Sequence, residues 1–341
     1  MTDKLNLEVL GDYLQSSVGG FSGLSKAEKF KDGQSNPTYL LSSTSGQYVL
    51  RRQPAGVLLP SAHAVDREYR VMKALQNTEV PVPQALHLCT DRDVIGSMFY
   101  IMSFQLGRVF WNPSLPDLDK QQRILIYDEM NRVLSALHNI DYSAHGLGDF
   151  GKAGNYFGRQ IARWTRQYEA SATEDSEFMN MLIEWLPANL PPDDDRVSLI
   201  HGDYRIDNMI FDNRRPVVNA LLDWELSTLG HPFADLAYQC MQWRIGSTEI
   251  IPGLGGVHRE ELGIPSESDY VARYCQRRNL TEIANWSFYL IFSFFRFSAI
   301  LQGVMKRAIE GNASSSKAFE YGALAPRLAK MAVTILEKQH D

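Results

Sequence analysis

The sequence predicts an α+β fold in which a small N-terminal lobe, built on an antiparallel β-sheet, precedes a large and mostly helical C-terminal lobe. One observation is the order strand, strand, strand, helix, strand, strand along the start of the chain. The other is the change to helical periodicity after Leu106. We therefore expect two domains, residues 1–105 and residues 106–341.

The N-terminal lobe begins with a helical pattern over residues 5–16. Three short runs typical of strands follow, over residues 27–31, 38–42 and 47–51. The segments between them consist of Gly, Ser, Thr, Asn, Asp, Gln and Pro, most of which favour turns. Short connections of this kind indicate an antiparallel meander.

A helix is predicted over residues 61–76, because Val65, Met72 and Leu75 fall on one face of it. Glu68 lies on that same side. Two further strands are predicted over residues 84–89 and 98–104, which completes the lobe.

The C-terminal lobe is predicted to contain two groups of helices separated by short strands. The first group covers residues 117–139, 155–170 and 176–186, the strands residues 197–200, 209–211 and 217–222, and the second group residues 234–243, 267–278, 282–310 and 316–338. The apolar stretch 286–301 contains three serines and Arg296 and is shorter than a membrane span. A buried helix is the expected structure there, and no membrane partner is predicted.

Composition excludes several classes of protein. A formal net charge of −6 gives no support to nucleic-acid binding. The three cysteines, Cys89, Cys240 and Cys275, have neither disulfide-type nor zinc-type spacing, which suits a reducing compartment. The start of the chain carries acidic residues and lacks the apolar core of a signal peptide, so a cytoplasmic location is expected.

The strongest chemical signal is the segment HGDYRIDN, residues 201–208, followed by Asp223 at the end of an apolar run. Asp203 and Asn208 have the spacing HxDxxxxN, in which the aspartate serves as a base and the asparagine holds a metal ion. Phosphoryl transfer needs this combination of a carboxylate near the attacking hydroxyl and oxygen ligands for Mg²⁺. Either fragment alone could be an ordinary turn or strand-end acid. Their order, interval and apolar flanks favour the catalytic interpretation.

With these residues in place, the chain resembles the aminoglycoside phosphotransferase and choline kinase-like family of the protein-kinase-like fold, over about residues 20–330. The family's catalytic segment is matched by HGDYRIDNMIFD and its metal segment by LLDWELSTLGHPFADLAY. The resemblance implies that Asp203 is the catalytic base and that Asn208 and Asp223 are magnesium ligands. It also implies structural roles for His201 and Asp235, with ATP and Mg²⁺ as cofactors.

The resemblance extends to the small lobe, which would bind the nucleotide. Arg51 takes the place of the kinase lysine that contacts the α and β phosphates, and Glu68 takes the place of its helical partner. Arginine can hold both phosphate and carboxylate, although its geometry differs from that of lysine. Two alternatives stay open: Arg52 could be the partner, or Arg51 and Glu68 could be solvated surface charges.

Two further nucleotide contacts are implied. The loop over the triphosphate corresponds to Gly33, Gln34, Ser35 and Asn36, whose backbone N–H groups could hold phosphate although only one glycine is present. The hinge that pairs with adenine corresponds to residues 102–105, with Ser103 and Phe104 at its centre.

The acceptor is predicted to be a small molecule with a hydroxyl group, since only six residues separate Asp223 from Gly230 and leave no room for a protein kinase's activation segment. Residues 231–341 contain eleven acidic and twelve basic residues, a balance that favours a neutral or anionic acceptor. Candidates for holding an anionic group are Arg244, Arg273, Arg277, Arg278, Arg296, Lys306 and Arg307. The segments 50–75 and 80–88 most resemble the kinase domain that precedes certain acyl-CoA dehydrogenases, which implies a hydroxyacyl-CoA or hydroxy-acid acceptor. The alternatives are an aminoglycoside or amino-alcohol kinase and an inactive nucleotide-binding regulator; no partner enzyme is identified.

Overall fold

The predicted series of strands and helices is present in a computed structural model of the chain, which describes residues 5–30, 36–54, 63–313 and 315–338. The elements of the N-terminal part are α1 (Leu7–Ser17), β1 (Leu24–Lys29), β2 (Thr38–Ser43), β3 (Gly46–Arg52), α2 (Val65–Leu75), β4 (Ala85–Cys89) and β5 (Phe99–Ser103). They are followed by α3 (Lys120–Asn139), α4 (Tyr156–Ser171), α5 (Glu177–Ala188), β6 (Ser198–Ile200), β7 (Met209–Phe211), β8 (Val218–Leu221) and β9 (Thr228–Gly230). The remainder comprises α6 (Phe233–Met241), α7 (Arg259–Leu262), α8 (Glu267–Arg277), α9 (Trp286–Ile309), α10 (Ala318–Gly322) and α11 (Ala325–Glu337).

The chain forms two compact units, and each unit is built from several separate segments of the sequence. Unit 1 comprises the residues up to Val109 together with His145–Leu147 and Asn208–Ser227, and unit 2 comprises the rest. The division therefore differs from the predicted boundary between residues 105 and 106. Backbone hydrogen bonds explain why the later segment belongs to unit 1: Leu221 N–H donates to the Pro81 carbonyl at 2.8 Å, and Arg108 and Phe211 exchange two bonds of 2.9 Å.

Unit 1 is organised by an antiparallel five-stranded sheet in the order β1-β2-β3-β5-β4. Helix α1 begins at the cap residue Asn6 and buries Leu10 and Leu14 in a core shared with Leu41 and Phe99 of the sheet. The predicted meander and the helix that follows it are therefore observed. Strands β7 and β8 form an additional two-stranded sheet in this unit.

Unit 2 is organised around α9, which packs against α4, α6, α10 and α11. Apolar side chains lie on every face of this helix, as expected for a helix surrounded by protein. It is long and apolar enough to cross a membrane, but 78% of its most apolar window is buried within the protein. The predicted buried helix is thus confirmed.

The prediction of one helix over residues 316–338 was wrong, because two helices, α10 and α11, occupy this segment. Proline lies in the first turn of α11, where its missing N–H is tolerated. The same residue inside a continuous helix would lose a hydrogen bond and clash with the preceding turn, so the chain starts a new helix instead.

Candidate active site

Arg51 on β3 lies at the centre of a group of charges in unit 1. Its Nε is 2.9 Å from Oε2 of Glu68 on α2, and its Nη2 is 2.9 Å from Oδ1 of Asp223. Oε2 of Glu225 lies 3.6 Å from the same Nη2. We call these four residues the Arg51 cluster. It joins a strand, a helix and the segment after β8 around one guanidinium.

Burial of Glu68 requires that its carboxylate oxygens have partners, and the sheet and the preceding loop supply them. The Tyr100 hydroxyl donates to Oε2 at 3.1 Å, and Asn36 Nδ2 donates to Oε1 at 2.8 Å. Tyr100 is the residue opposite Arg51 in the register of β3 and β5. The same cross-strand pair therefore delivers a cation and a hydroxyl to one carboxylate.

The titration behaviour of the cluster follows from burial and charge. Burial raises the pKa of Glu68, while the Arg51 guanidinium and the two donated hydrogen bonds act in the opposite direction. Burial alone would lower the pKa of Arg51, but the Glu68 and Asp223 carboxylates outweigh it, so the pKa is raised. One guanidinium thus lies beside three carboxylates.

The structure decides between the two arginines. Arg51 contacts Glu68, whereas Arg52 Nε donates to the backbone carbonyl of Gln53 at 3.3 Å. The interpretation of Arg51 and Glu68 as solvated surface charges is wrong, because Glu68 is 1% exposed and the Arg51 side chain 14% exposed. Contact of Arg51 with phosphate stays a prediction.

Asp223 has φ 63° and ψ 64°, a left-handed conformation that is strained for a residue with a side chain. The backbone N–H of Leu222 donates to the carbonyl of Asn208 at 2.8 Å, which joins the two predicted metal-binding segments within unit 1. A carboxylate and an amide oxygen are the hard donors that Mg²⁺ prefers, and Mg²⁺ needs few protein ligands because it keeps water and phosphate oxygens. These residues therefore fit magnesium, although the part of the chain described contains no group of three or more His, Cys, Asp or Glu that could hold a metal ion.

The other predicted nucleotide contacts are only partly visible. Gly33, Gln34 and Ser35 lie outside the described residues. The Asn36 side chain is buried, with Nδ2 on Glu68 and Oδ1 at 2.9 Å from Nδ1 of His63, so only its backbone is left for phosphate. At the predicted hinge, Ser103 already donates its N–H to the Gln84 carbonyl at 3.0 Å, and Phe104 follows the end of β5.

In unit 2 the segment after β6 is held by Asp235 on α6. The backbone N–H groups of His201 and Gly202 donate to its two carboxylate oxygens at 2.6 and 2.8 Å. His138 Nε2 lies 3.3 Å from Oδ2. Burial alone would raise the pKa of Asp235, but the hydrogen bond of His138 and the neighbouring donors outweigh it, and the pKa is lowered. Asp235 occupies the bracing position predicted for it.

Asp203 is half-buried at the end of this turn. Its N–H donates to Nδ1 of the fully buried His201 at 3.2 Å, so His201 contacts the loop backbone, as expected of a structural residue. Burial, followed by the negative charge of the Asp203 carboxylate, raises the pKa of Tyr238. The Asp203 carboxylate thus lies on a loop whose backbone is fixed by His201, with Tyr238 nearby.

Sequence reasoning missed three side chains of these networks: Tyr100, His138 and Tyr238. Tyr238 could have been found, because it lies three residues after Asp235 in a helix and therefore on the same face. Tyr100 and His138 carry no comparable signal, since each meets its partner through the tertiary fold.

Comparison with known proteins gives matches over most of the chain. A family model described as the phosphotransferase enzyme family matches residues 26–259. A crystal structure of a candidate aminoglycoside phosphotransferase from Ralstonia eutropha JMP134 is 47% identical, with a TM-score of 0.90, and the match covers 98% of this chain and 99% of that one.

Two further matches differ in what they share with this chain. Acyl-CoA dehydrogenase family member 10 of Mus musculus is 46% identical over 334 residues, which are 97% of this chain but only 31% of that protein. A ternary complex of a thermostable mutant of aminoglycoside phosphotransferase APH(4)-Ia with ADP and hygromycin B is 15% identical, with a TM-score of 0.62, and the match covers 96% of this chain and 98% of that one. That similarity concerns the fold alone, and it agrees with the predicted fold class, which is confirmed.

Proposed function

Because the chain belongs to the phosphotransferase enzyme family, we propose that it is an ATP-dependent kinase that transfers the γ-phosphoryl group to a hydroxyl group of a small molecule. The observation that carries the proposal is the Arg51 cluster. It holds a guanidinium beside Glu68 and Asp223, while Asn208 is tied by its backbone to the residue before Asp223. Phosphate groups and a metal ion are the ligands for which such charges are suited.

In the proposed reaction the acceptor hydroxyl oxygen attacks the γ-phosphorus, and the bond from phosphorus to the β–γ bridging oxygen breaks. ADP leaves with that electron pair, and the hydroxyl proton passes to the Asp203 carboxylate. Asp203 has to orient the hydroxyl before transfer, which explains why its loop is fixed by hydrogen bonds to the backbone.

Bound magnesium, held by Asn208 and Asp223, would neutralise negative charge on the phosphate groups. Arg51 would hold phosphate oxygens while Glu68, with its two further donors, keeps the guanidinium in place.

For the acceptor we propose a hydroxyacyl-CoA or a related hydroxy acid. The relative from Mus musculus is named as an acyl-CoA dehydrogenase, and this chain matches about a third of it. Unit 2 also contains a cavity of about 380 Å³ with a largely apolar lining, a volume suited to an aliphatic chain. The apolar lining residues are Ile245, Ile251, Phe297, Leu324, Leu328 and Met331.

A polycationic aminoglycoside suits this unit less well. Such a substrate needs unpaired carboxylates around its amino groups. Here Glu267 accepts from Arg244 at 2.9 Å, and Asp128 accepts from Arg273 and Arg277 at 2.7 and 2.9 Å. These carboxylates are already neutralised by arginines.

A panel of acceptors tests the proposal. The purified chain is incubated with Mg²⁺ and γ-labelled ATP in the presence of hydroxyacyl-CoA thioesters of increasing chain length, aminoglycosides including hygromycin B, or choline. We expect label in the thioesters only. Transfer to an aminoglycoside or choline would contradict the proposed acceptor class but would support the proposed kinase activity. Nucleotide binding without transfer to any acceptor would favour an inactive regulator.

A further inference from the structure

Arg296 is the residue that interrupts the apolar sequence of α9, and it is 5% exposed. Within the described part of the chain it makes no ion pair with a carboxylate, unlike Arg244, Arg273 and Arg277. A buried cation is costly unless other groups compensate it. The contacts of Arg296 therefore show which groups compensate its charge and indicate the role of the side chain.

Those contacts converge on the loop that carries Asp203. Arg296 Nη2 donates to the carbonyl oxygen of Gly202 at 2.7 Å. The guanidinium carbon lies 5.7 Å from the ring centre of Trp164 and 5.3 Å from that of Tyr238. Two aromatic faces and one carbonyl thus take the place of a carboxylate partner.

The peptide bond between Gly202 and Asp203 is held at both of its polar atoms. Arg296 binds its carbonyl oxygen, and its N–H donates to His201 Nδ1 at 3.2 Å. Gly202 has φ 86°, a left-handed value that glycine tolerates and other residues rarely adopt. The orientation of this peptide, which fixes where the Asp203 side chain begins, is therefore set by the surrounding side chains.

The same arginine packs against a tyrosine of α6. The Tyr238 ring contacts Arg296 at 5.3 Å and, edge to face at 5.8 Å, Phe297, and the Asp203 carboxylate helps to raise the pKa of its hydroxyl. Arg296 thus contacts both the peptide before Asp203 and a tyrosine that is influenced by the Asp203 charge.

We propose that Arg296, packed against Tyr238, is a positioning residue for Asp203, which holds the proposed base in the orientation needed to accept a proton. The inference rests on the proposed function. It means that the buried positive charge of Arg296 on α9 supports the rate of phosphoryl transfer. It also gives Arg296 a role different from that of the other basic residues of the helical region.

The chain offers matched controls for both residues. Arg163 lies on the ring of the same Trp164, at 5.4 Å, but it is exposed. The Tyr127 hydroxyl is buried and donates to the Pro113 carbonyl at 2.6 Å, away from the loop. Arg163→Met and Tyr127→Phe therefore remove the same kinds of group without touching the Asp203 loop.

The experiment compares kcat, KM for ATP and for the thioester acceptor, and ATP affinity among Arg296→Met, Arg296→Lys, Tyr238→Phe and the two controls. We expect kcat to fall about 100-fold for Arg296→Met, since small misplacements of catalytic groups have effects of this size. Tyr238→Phe keeps the ring that contacts Arg296, so we expect kcat to fall by less than about tenfold. KM and ATP affinity should be retained, Arg296→Lys should recover part of kcat, and the controls should match the wild type.

Hydrogen exchange of the peptide containing residues 201–205 keeps the inference testable if no acceptor is found. Arg296→Met should accelerate exchange there, whereas Arg163→Met should not. A kcat equal to that of the wild type in folded Arg296→Met, or a parallel loss of ATP binding, would overturn the inference, as would unchanged exchange. Absence of transfer by the wild type would count against the proposed function alone.

Discussion

The Arg51 cluster of unit 1 and the Asp203 loop of unit 2 are stabilised by different forces. In the cluster, one guanidinium contacts carboxylates from a helix and from the segment after β8. In the loop, buried side chains bind backbone N–H and carbonyl groups, and the geometry is fixed atom by atom. The first arrangement depends on charge and the second on position.

This difference predicts different responses to substitution. Coulomb interactions change gradually with distance, so a charge cluster can adapt when a nucleotide and its metal ion bind. Proton transfer requires the base within hydrogen-bonding reach of its hydroxyl, so displacement of the loop reduces the rate. Changes in the cluster should affect stability and nucleotide affinity, whereas changes in the loop should affect kcat.

The largest effect is expected for Asp203→Asn. Loss of a general base should lower kcat roughly 10²–10⁴-fold, while ATP affinity changes little. Steady-state kinetics and nucleotide titration measure the two quantities. Asp212→Asn is a suitable control, because the Asp212 side chain accepts hydrogen bonds within an exposed turn. Near-normal turnover in Asp203→Asn would remove this residue from the mechanism.

Arg51→Met tests the buried part of the cluster. Removing the guanidinium leaves Glu68 buried without its cation, which should lower the free energy of unfolding by about 3–5 kcal/mol in urea denaturation. The double variant Arg51→Met/Glu68→Gln should recover much of that loss. The exposed pair Lys26 and Glu28, with Nζ and Oε1 2.8 Å apart, serves as the contrast. Lys26→Met should lower the free energy of unfolding by less than about 1 kcal/mol. Equal losses at the two sites would contradict the assigned role of burial.

Asp223→Ala separates metal binding from folding. In the presence of Mg²⁺ the variant should bind ATP about 10–100-fold more weakly, because a charged ligand of the metal is lost. With EDTA in place of Mg²⁺ the affinity should not fall, since removing a carboxylate reduces repulsion of phosphate. Calorimetric titration measures both conditions. Weaker binding of the same size without Mg²⁺ would show that Asp223 has no metal-specific role.

The smallest effect concerns pH and the buried His138 of unit 2. Burial lowers the pKa of His138 below its ordinary value of 6.5, so the unfolded chain binds a proton before the folded chain does. Stability should therefore fall as pH drops through 6.5 toward the lowered folded-state pKa, by at most about 1.4 kcal/mol per pH unit for this group. His138→Gln should reduce that slope in urea titrations at several pH values, and His145→Gln, at an exposed position, should not. If the slope of unfolding free energy against pH is unchanged in His138→Gln, a group other than His138 causes the acid sensitivity.

Much of this site was predictable from sequence because its signals are local. The spacing of Asp203 and Asn208 lies within one short segment, and the place of Glu68 on the apolar face of α2 follows from helical periodicity. The adjacency of β1, β2 and β3 in the sheet follows from turn residues in short connections.

The remaining features depend on contacts between distant segments. Arg296 was one of seven candidate anion-binding residues, and only the fold shows that it meets Gly202, 94 positions away. Tyr100 reaches Glu68 because β5 pairs with β3, and the β7–β8 pair belongs to unit 1 through bonds to Pro81 and Arg108. None of these contacts has a periodicity or motif along the chain.

The most direct test of the account measures ADP and phosphorylated acceptor in the same reaction. With Mg²⁺, ATP and a hydroxyacyl-CoA thioester, the wild-type chain should form the two products in equal amounts. Asp203→Asn and Mg²⁺-free reactions should form neither at a comparable rate. Formation of ADP without phosphorylated acceptor, or equal product formation by Asp203→Asn, would contradict the account.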